Sequence, residues 1–194
     1  MKFFLSKKYS SVASLVKACQ QQDPRAQTVF YERYKSRMTG ICRRYAKTVA
    51  EADDIFQDAF VKIFNSIGDL KDPDAVDGWV KVTVVRTAIN YYHRTTREQE
   101  LHDSLDGMDI QLESDDYAKL MDQMNVHDLL EMINALPDKY RTVINLHLID
   151  GYTHTEIGEM LSISDATSRS QFMRGRNLLL KKLELKGIVH HENF

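Results

Sequence analysis

Proline, glycine and cysteine are all scarce in this chain: three, eight and two residues among 194. So few helix breakers and turn formers, and no succession of short alternating runs, exclude a strand-rich fold and leave an all-helical one. Cys19 and Cys42 lie far apart without C-x-x-C spacing, so neither a disulfide framework nor a zinc site is indicated, and both read as reduced structural thiols. No apolar run approaches the roughly 20 residues needed to cross a bilayer. The apolar start at Phe3, Phe4 and Leu5 is short and meets Lys7 and Lys8 at once, unlike a signal peptide. A soluble, cytoplasmic protein is the expectation. Glycine-rich phosphate loops, nucleophile elbows and H-E-x-x-H pairs are missing, so no catalytic centre, metal or cofactor is implied. His147 and His154 have no convergent partners in the sequence, and His190, His191 and Glu192 read as a frayed terminus.

The formal charge of −2 conceals a segregated pattern. Residues 80–97 carry Lys81, Arg86, Arg94 and Arg97 and no carboxylate. Residues 98–131 reverse the sign, with Lys119 as their sole Lys or Arg. From 165 to 187 the chain turns basic again through Arg169, Arg174, Arg176, Lys181, Lys182 and Lys186. Two basic segments flanking an acidic one suggest two surfaces that face a polyanion.

Hydrophobic periodicity places helices under both basic segments. Asp23-Pro24 opens one as cap and first turn, and apolar residues from Ala26 to Tyr45 then recur at steps of three and four. A second begins near Ala52 and carries Ile55, Ala59, Phe60 and Ile63 on one stripe as far as Gly68. Residues 68–78, with Pro73 and four aspartates, read as a loop. A third starts near Asp77 and is expected to turn Trp79, Val82, Val85, Ile89 and Tyr92 inward. None of these helices can bury its stripe alone, so they pack together. Residues 98–125 lose the periodicity and read as a flexible acidic linker. Order resumes at Val126 with helices ending near Leu136 and Gly151. Thr153 and Glu156 then form a capping box, and a short turn leads to a long basic helix from Asp165 to about Leu185. Short helix, tight turn and longer basic helix make a helix-turn-helix signature. The expected architecture is two small helical domains, 10–97 and 126–187, joined by the linker.

Each domain offers candidate binding residues. On the last helix, Phe172, Gly175, Leu179 and Leu183 form the buried stripe, which turns Arg169, Ser170, Met173 and Arg174 outward. Arginine there can bond two acceptors on a guanine edge, while Arg176, Lys181 and Lys182 suit phosphate. An ordinary basic surface helix is the bland alternative. In the first domain Asp53, Asp54, Gln57 and Asp58 give a polar face able to meet a basic partner, although one of the first two could simply cap its helix. Lys81, Arg86 and Arg94 are placed to track a nucleic-acid backbone, with Asn90 available for a base edge. The aspartate-rich loop is unsuited to phosphate but could pocket an unstacked base. Trp79 could stack on such a base, though its place on the apolar stripe reads as core.

At this point the sequence resembles a known family. The runs Leu136-Pro137-Asp138-Lys139-Tyr140-Arg141, Gly151-Tyr152-Thr153-His154-Thr155-Glu156-Ile157-Gly158 and Thr167-Ser168-Arg169-Ser170 look like region 4 of sigma-70 proteins. Residues 52–60, Gly78-Trp79, and 87–97 with the Arg94–Arg97 cluster, look like region 2. Both regions in this order with little between them resemble the extracytoplasmic-function (ECF) subgroup. The resemblance implies a non-enzymatic initiation factor. Asp53, Asp54, Gln57 and Asp58 would meet core RNA polymerase. Lys81, Arg86, Asn90 and Arg94 would meet the −10 promoter element, and Arg169, Ser170, Met173, Arg174 and Arg176 the −35 element. It also implies an anti-sigma factor as a regulatory partner. The chain departs from the family pattern in four places: Gly175 replaces the more usual alanine, Phe172-Met173 a more usual aliphatic-then-aromatic order, Ser162 the usual turn glycine, and Val82 a frequent basic residue. Two other readings stay open. One is a helix-turn-helix regulator that binds DNA without polymerase; the other is a helical metal enzyme built on Asp53, Asp54 and Asp58, which adjacent positions around a helix disfavour.

Overall fold

The computed structural model describes residues 9–99 and 126–185, and every regular element among them is helical. The chain divides into two compact units, one ending at Thr95 and the other starting at Thr96. Most of the expected linker, residues 100–125, and the residues after 185 lie outside the described ones.

The first unit holds four α-helices: α1 (Val12–Gln20), α2 (Pro24–Tyr45), α3 (Val49–Ser66) and α4 (Val76–Gln99). Helix α1 was not foreseen. Ser11 and Ser14 cap it reciprocally, and it sinks Leu15, Val16 and Cys19 against α2. Asp23 caps α2 through Arg25 N at 2.8 Å, with Pro24 in the first turn as expected. Helix α3 starts earlier than expected, at Val49. Thr48 accepts from Glu51 N, and Glu51 accepts from Lys47 N at 2.7 Å. Neither Asp53 nor Asp54 is therefore the cap, which leaves both in the helix body facing water. Stripes from α2 (Phe30, Met38, Cys42) and α3 (Ile55, Ala59, Ile63) meet in the core, and the half-buried Phe64 makes tilted ring contacts with Phe30 and Phe60 at 5.8 and 5.7 Å. Cys19 and Cys42 are buried free thiols, pushed up to about 11 and about 12 chiefly by burial.

The segment read as a loop is more ordered than its composition suggests. It makes two 3₁₀ turns, Ile67–Asp69 and Pro73–Ala75, and α4 begins at Val76, before Gly78. From α1, Gln20 donates to the carbonyls of Ile67 and Leu70, both at 3.0 Å, fastening the turn down. Of the residues expected to turn inward on α4, Val85 and Ile89 are buried but Trp79, Val82 and Tyr92 are not, and Val76, Val80, Val84 and Ala88 make up the rest of the inner face. Trp79 and Val82 lie only half-buried.

The second unit runs α5 (Val126–Asn134), α6 (Asp138–Ile144), a π-helical segment (Asn145–Ile149), α7 (His154–Leu161) and α8 (Asp165–Leu185). The expected helix over 138–150 is thus α-helical only in its first half. Met132, Ile133, Leu136, Ile144, Leu179 and Leu183 form its core. Thr153 and Glu156 make the expected capping box on α7, and their bonds hold the Glu156 carboxyl below its usual range. Between α7 and α8, Ser162 adopts the left-handed conformation at φ 57°. A Cβ at Gly158 would stand 2.8 Å from the Ile163 carbonyl oxygen, so only glycine lets α7 approach that turn so closely.

Candidate nucleic-acid and polymerase interfaces

In the first unit the two expected binding sets turn out to be neighbours. Asp53, Asp54, Gln57 and Asp58 are all exposed on α3, one helix turn apart as two pairs. On α4, Arg86, Asn90 and Arg94 are exposed at steps of four, so they form one stripe along the helix. Lys81 is half-buried and falls outside that stripe, and the side chain of Arg97 lies outside the described residues. Asp58 and Arg94 join the two sets, carboxylate to guanidinium at 3.4 Å. Arg94 also lies over the Tyr91 ring at 5.6 Å. The Tyr91 hydroxyl is raised above 10 by burial first, then by Glu51 and Asp54, which places the acidic face of α3 close enough to bear on α4.

One cation was missed by reading helices singly. Lys62 on α3 donates to Thr87 Oγ1 on α4 at 3.4 Å, which puts a further positive group beside the Arg86–Asn90 stretch. Its position on α3 gave no sign of this, because only packing brings it there. At the start of α4, Tyr34 donates to Asp77 at 2.7 Å and Arg37 lies 3.8 Å from the same carboxylate, anchoring the turn to α2. Burial and Asp77 together push the Tyr34 hydroxyl up to about 12.

The second unit presents α8 much as its periodicity requires. Arg169, Ser170, Met173 and Arg174 are exposed, whereas Arg176 is half-buried. Ser168 on the opposite side is wholly buried. In the free chain Arg169 folds back on Asp165 at 3.0 Å, an exposed pair that polyanion can displace. A shallow groove runs between α6 and α8, lined by Lys139, Tyr140, Thr167, Ser170, Gln171 and Arg174. Lys139 and Gln171 were not singled out from the sequence. Their place beside Ser170 and Arg174 arises from the close approach of α6 to α8, where a Cβ on Gly175 would stand 2.9 Å from Tyr140 Cβ.

The two histidines without sequence partners do converge. His147 and His154 stack at 4.3 Å with rings 22° from parallel, and Phe172 of α8 meets both rings edgewise. Among the described residues no three His, Cys, Asp or Glu side chains gather as a metal site would need. No helix among them is long and apolar enough to cross a membrane.

Comparison with known proteins gives this geometry its context. Residues 30–98 match the family Sigma-70 region 2, and residues 127–179 match Sigma-70, region 4. The chain is 26% identical to the ECF RNA polymerase sigma-E factor of Haemophilus influenzae, over 88% of this chain and 94% of that one. It is 30% identical to the ECF RNA polymerase sigma factor SigW of Bacillus subtilis, over 77% of this chain and 84% of that one. A co-crystal structure of the sigma factor RpoE with the anti-sigma factor NepR from Bartonella quintana aligns at TM-score 0.48 and 16% identity, covering 80% of this chain and 96% of that one. The chain belongs to the sigma-70 family of RNA polymerase sigma factors, and within it to the ECF group.

Proposed function

We propose that this ECF sigma factor divides its work among three faces: α3 for polymerase, α4 for the −10 element and α8 for the −35 element. As a member of its family the chain binds core RNA polymerase and directs promoter-specific initiation. The family is one of non-catalytic initiation factors; this chain supplies no chemistry of its own and leaves bond-making to polymerase. It acts in the cytoplasm, where polymerase and promoter are. The observation carrying this reading is the presence of both family segments, in order, with their expected polar residues exposed except Lys81 and Arg176, which are half-buried.

Asp53, Asp54, Gln57 and Asp58 are the residues assigned to polymerase. Their carboxylates are free of capping duty, which supports a role in attracting a basic surface. Arg86 and Arg94 track the −10 strand and Asn90 meets a base edge, with Lys81 a lesser contributor because it is half-buried and off the stripe. Arg169, Ser170, Met173 and Arg174 read the −35 element, and Arg176 contacts phosphate. Residues 10–97 and 126–187 are taken as the two functional domains, and an anti-sigma factor competing for the polymerase-binding surface as the inhibitory partner. The test is Asp54→Arg: co-elution with core polymerase should weaken markedly in moderate salt, while DNA binding through α8 is unchanged. Wild-type co-elution would remove α3 from the polymerase interface.

A further inference from the structure

The histidine pair lies behind the recognition helix, where nothing in DNA or polymerase binding calls for two imidazoles. His154 is the first residue of α7, and its Nδ1 lies 2.9 Å from Ser168 Oγ, the wholly buried hydroxyl of α8. His147, from the π-helical segment, directs Nδ1 at the Tyr152 carbonyl oxygen at 2.8 Å. A carbonyl only accepts, so the neutral His147 ring carries its proton on Nδ1. With Phe172 against both rings, this stack ties the π-helical segment and α7 to the back of α8. Arg169 and Ser170 follow Ser168 directly, so whatever seats Ser168 also aims the groups expected to read DNA.

We infer that His147 and His154 form a proton-responsive clamp on the recognition helix: neutral, they seat α8 for reading the −35 element, and protonation loosens that seat. Both are positioning residues, acting through Ser168 and Phe172 rather than on DNA. The inference rests on the reading of α8 as the −35 helix and adds its regulation.

Electrostatics give the sign. Two imidazolium rings 4.3 Å apart repel at short range in a partly desolvated site. Other charges bear on His154 from α8: Arg169 opposes its protonation and Asp165 favours it. On its own helix, the Glu156 carboxylate is turned back to Thr153 N at 2.8 Å. Asp150, in the residue after the π segment, is the acid nearest His147 in sequence. The balance falls against the cation: burial first, then His147 and Arg169, lower His154 from 6.5. A histidine depressed in the folded state stabilises the fold above its unfolded value of 6.5, and that contribution is lost as pH falls below it. The Ser168 hydroxyl can donate to a bare Nδ1 or accept from a protonated one. The contact therefore inverts rather than breaks, and the change expected is a shift of α8 rather than unfolding.

Histidine-ring NMR titration of the full chain is the first test. One ring should titrate clearly below 6.5, and the amides of Ser168, Arg169 and Arg174 should move along the same curve. Ordinary midpoints for both rings, or α8 amides that ignore the titration, would overturn the clamp. The second test uses holoenzyme on duplexes carrying an upstream element mapped by its own transcription, against scrambled duplexes. Between about pH 7.5 and pH 5.8 the preference should fall about two- to threefold, as the lowered His154 ring begins to take up its proton. The double variant His147→Asn/His154→Asn replaces both rings with amides that do not titrate, and its preference should stay level. The single His147→Asn, which removes one charge of the pair, should show an intermediate loss and serves if the double variant does not fold. Equal loss in wild type and variants would overturn the clamp. An absence of preference at pH 7.5 would instead overturn α8 as the −35 reader, and the ring titration would still decide whether the histidines couple to it.

Discussion

Asp58 on α3 and Arg94 on α4 face each other at 3.4 Å, joining a residue assigned to polymerase with one assigned to DNA. Both side chains remain at least half exposed, so the pair contributes about 0–1 kcal/mol to stability. Its interest lies in what it occupies. On the proposed assignments, polymerase taking Asp58 would release Arg94 and so link docking to DNA readiness. A double-mutant cycle with Asp58→Ala and Arg94→Ala, followed by melting, should give a coupling below about 1 kcal/mol. Arg94→Ala should also lower the salt slope of −10 strand binding by about 0.7, one phosphate contact on a single strand. A slope unchanged from wild type would take Arg94 off the strand.

Gly175 stands where the family more often has alanine, and the packing of α8 on α6 explains the exchange. An added Cβ would lie 2.7 Å from Ile144 Cδ1 and 2.9 Å from Tyr140 Cβ. The first neighbour is the end of a side chain and can swing away; the second is fixed to its backbone. Alanine would gain about 1 kcal/mol of helix propensity, against about 1–3 kcal/mol for overpacking. The net expectation for Gly175→Ala is a loss of about 1 kcal/mol in urea denaturation. Adding Ile144→Val should recover part of it, and an increase in stability would mean that α6 moves aside freely.

The helix-turn-helix turn makes the opposite case. Ser162 holds φ at 57°, a conformation that costs an L-residue about 1–2 kcal/mol and glycine little. Glycine gives back about 0.4–1 kcal/mol by loosening the unfolded chain. Because Ser162 is exposed, no packing is lost with its side chain. Ser162→Gly should therefore stabilise the chain by about 0.5 kcal/mol, seen as a raised melting temperature. A lowered one would point to a role for the hydroxyl that its exposure does not suggest.

Much of the fold was legible because caps and stripes are local. Asp23-Pro24 and Thr153-x-x-Glu156 mark true helix starts, and the face of α8 follows directly from Phe172, Gly175, Leu179 and Leu183. Thr48-x-x-Glu51 carries the same capping signature for α3, but the apolar run that marks the helix begins later, at Ala52. In α4 four valines at 80, 82, 84 and 85 allow two registers, and only the packed neighbours choose Val80 and Val84 over Val82. Helix α1 escaped notice because nine residues with three buried positions give too short a stripe. At the candidate sites, Lys62, Lys139 and the meeting of His147 with His154 are tertiary facts. Each brings together residues from different elements, and no spacing along one helix encodes that.

Recognition by α8 gives the last prediction, because three of its basic residues should fail in different ways. Arg169 and Arg174 are exposed near Ser170 in the helix half nearest its N-terminus, and Arg174 lines the groove while Arg169 does not. That half is the one a recognition helix brings to base edges. Lys181 is also exposed but lies two turns further on, where the helix would leave the groove and pass phosphate. Replacing either arginine by alanine should cost about 1–3 kcal/mol on a matched upstream element and little on a scrambled one. Arg169→Ala should show the smaller loss, since wild type must first break the Arg169–Asp165 contact at 3.0 Å before Arg169 can reach DNA. Asp165→Ala should then raise affinity slightly on both elements, by freeing that arginine and removing a carboxylate near the backbone. Lys181→Ala should weaken both elements alike and make the salt slope shallower by about 0.9, one phosphate on duplex DNA. Competition binding of holoenzyme on matched and scrambled duplexes at several salt concentrations separates these outcomes. If either arginine behaves as Lys181 does, that arginine binds phosphate, and the base reading passes to Ser170, Gln171 or Met173.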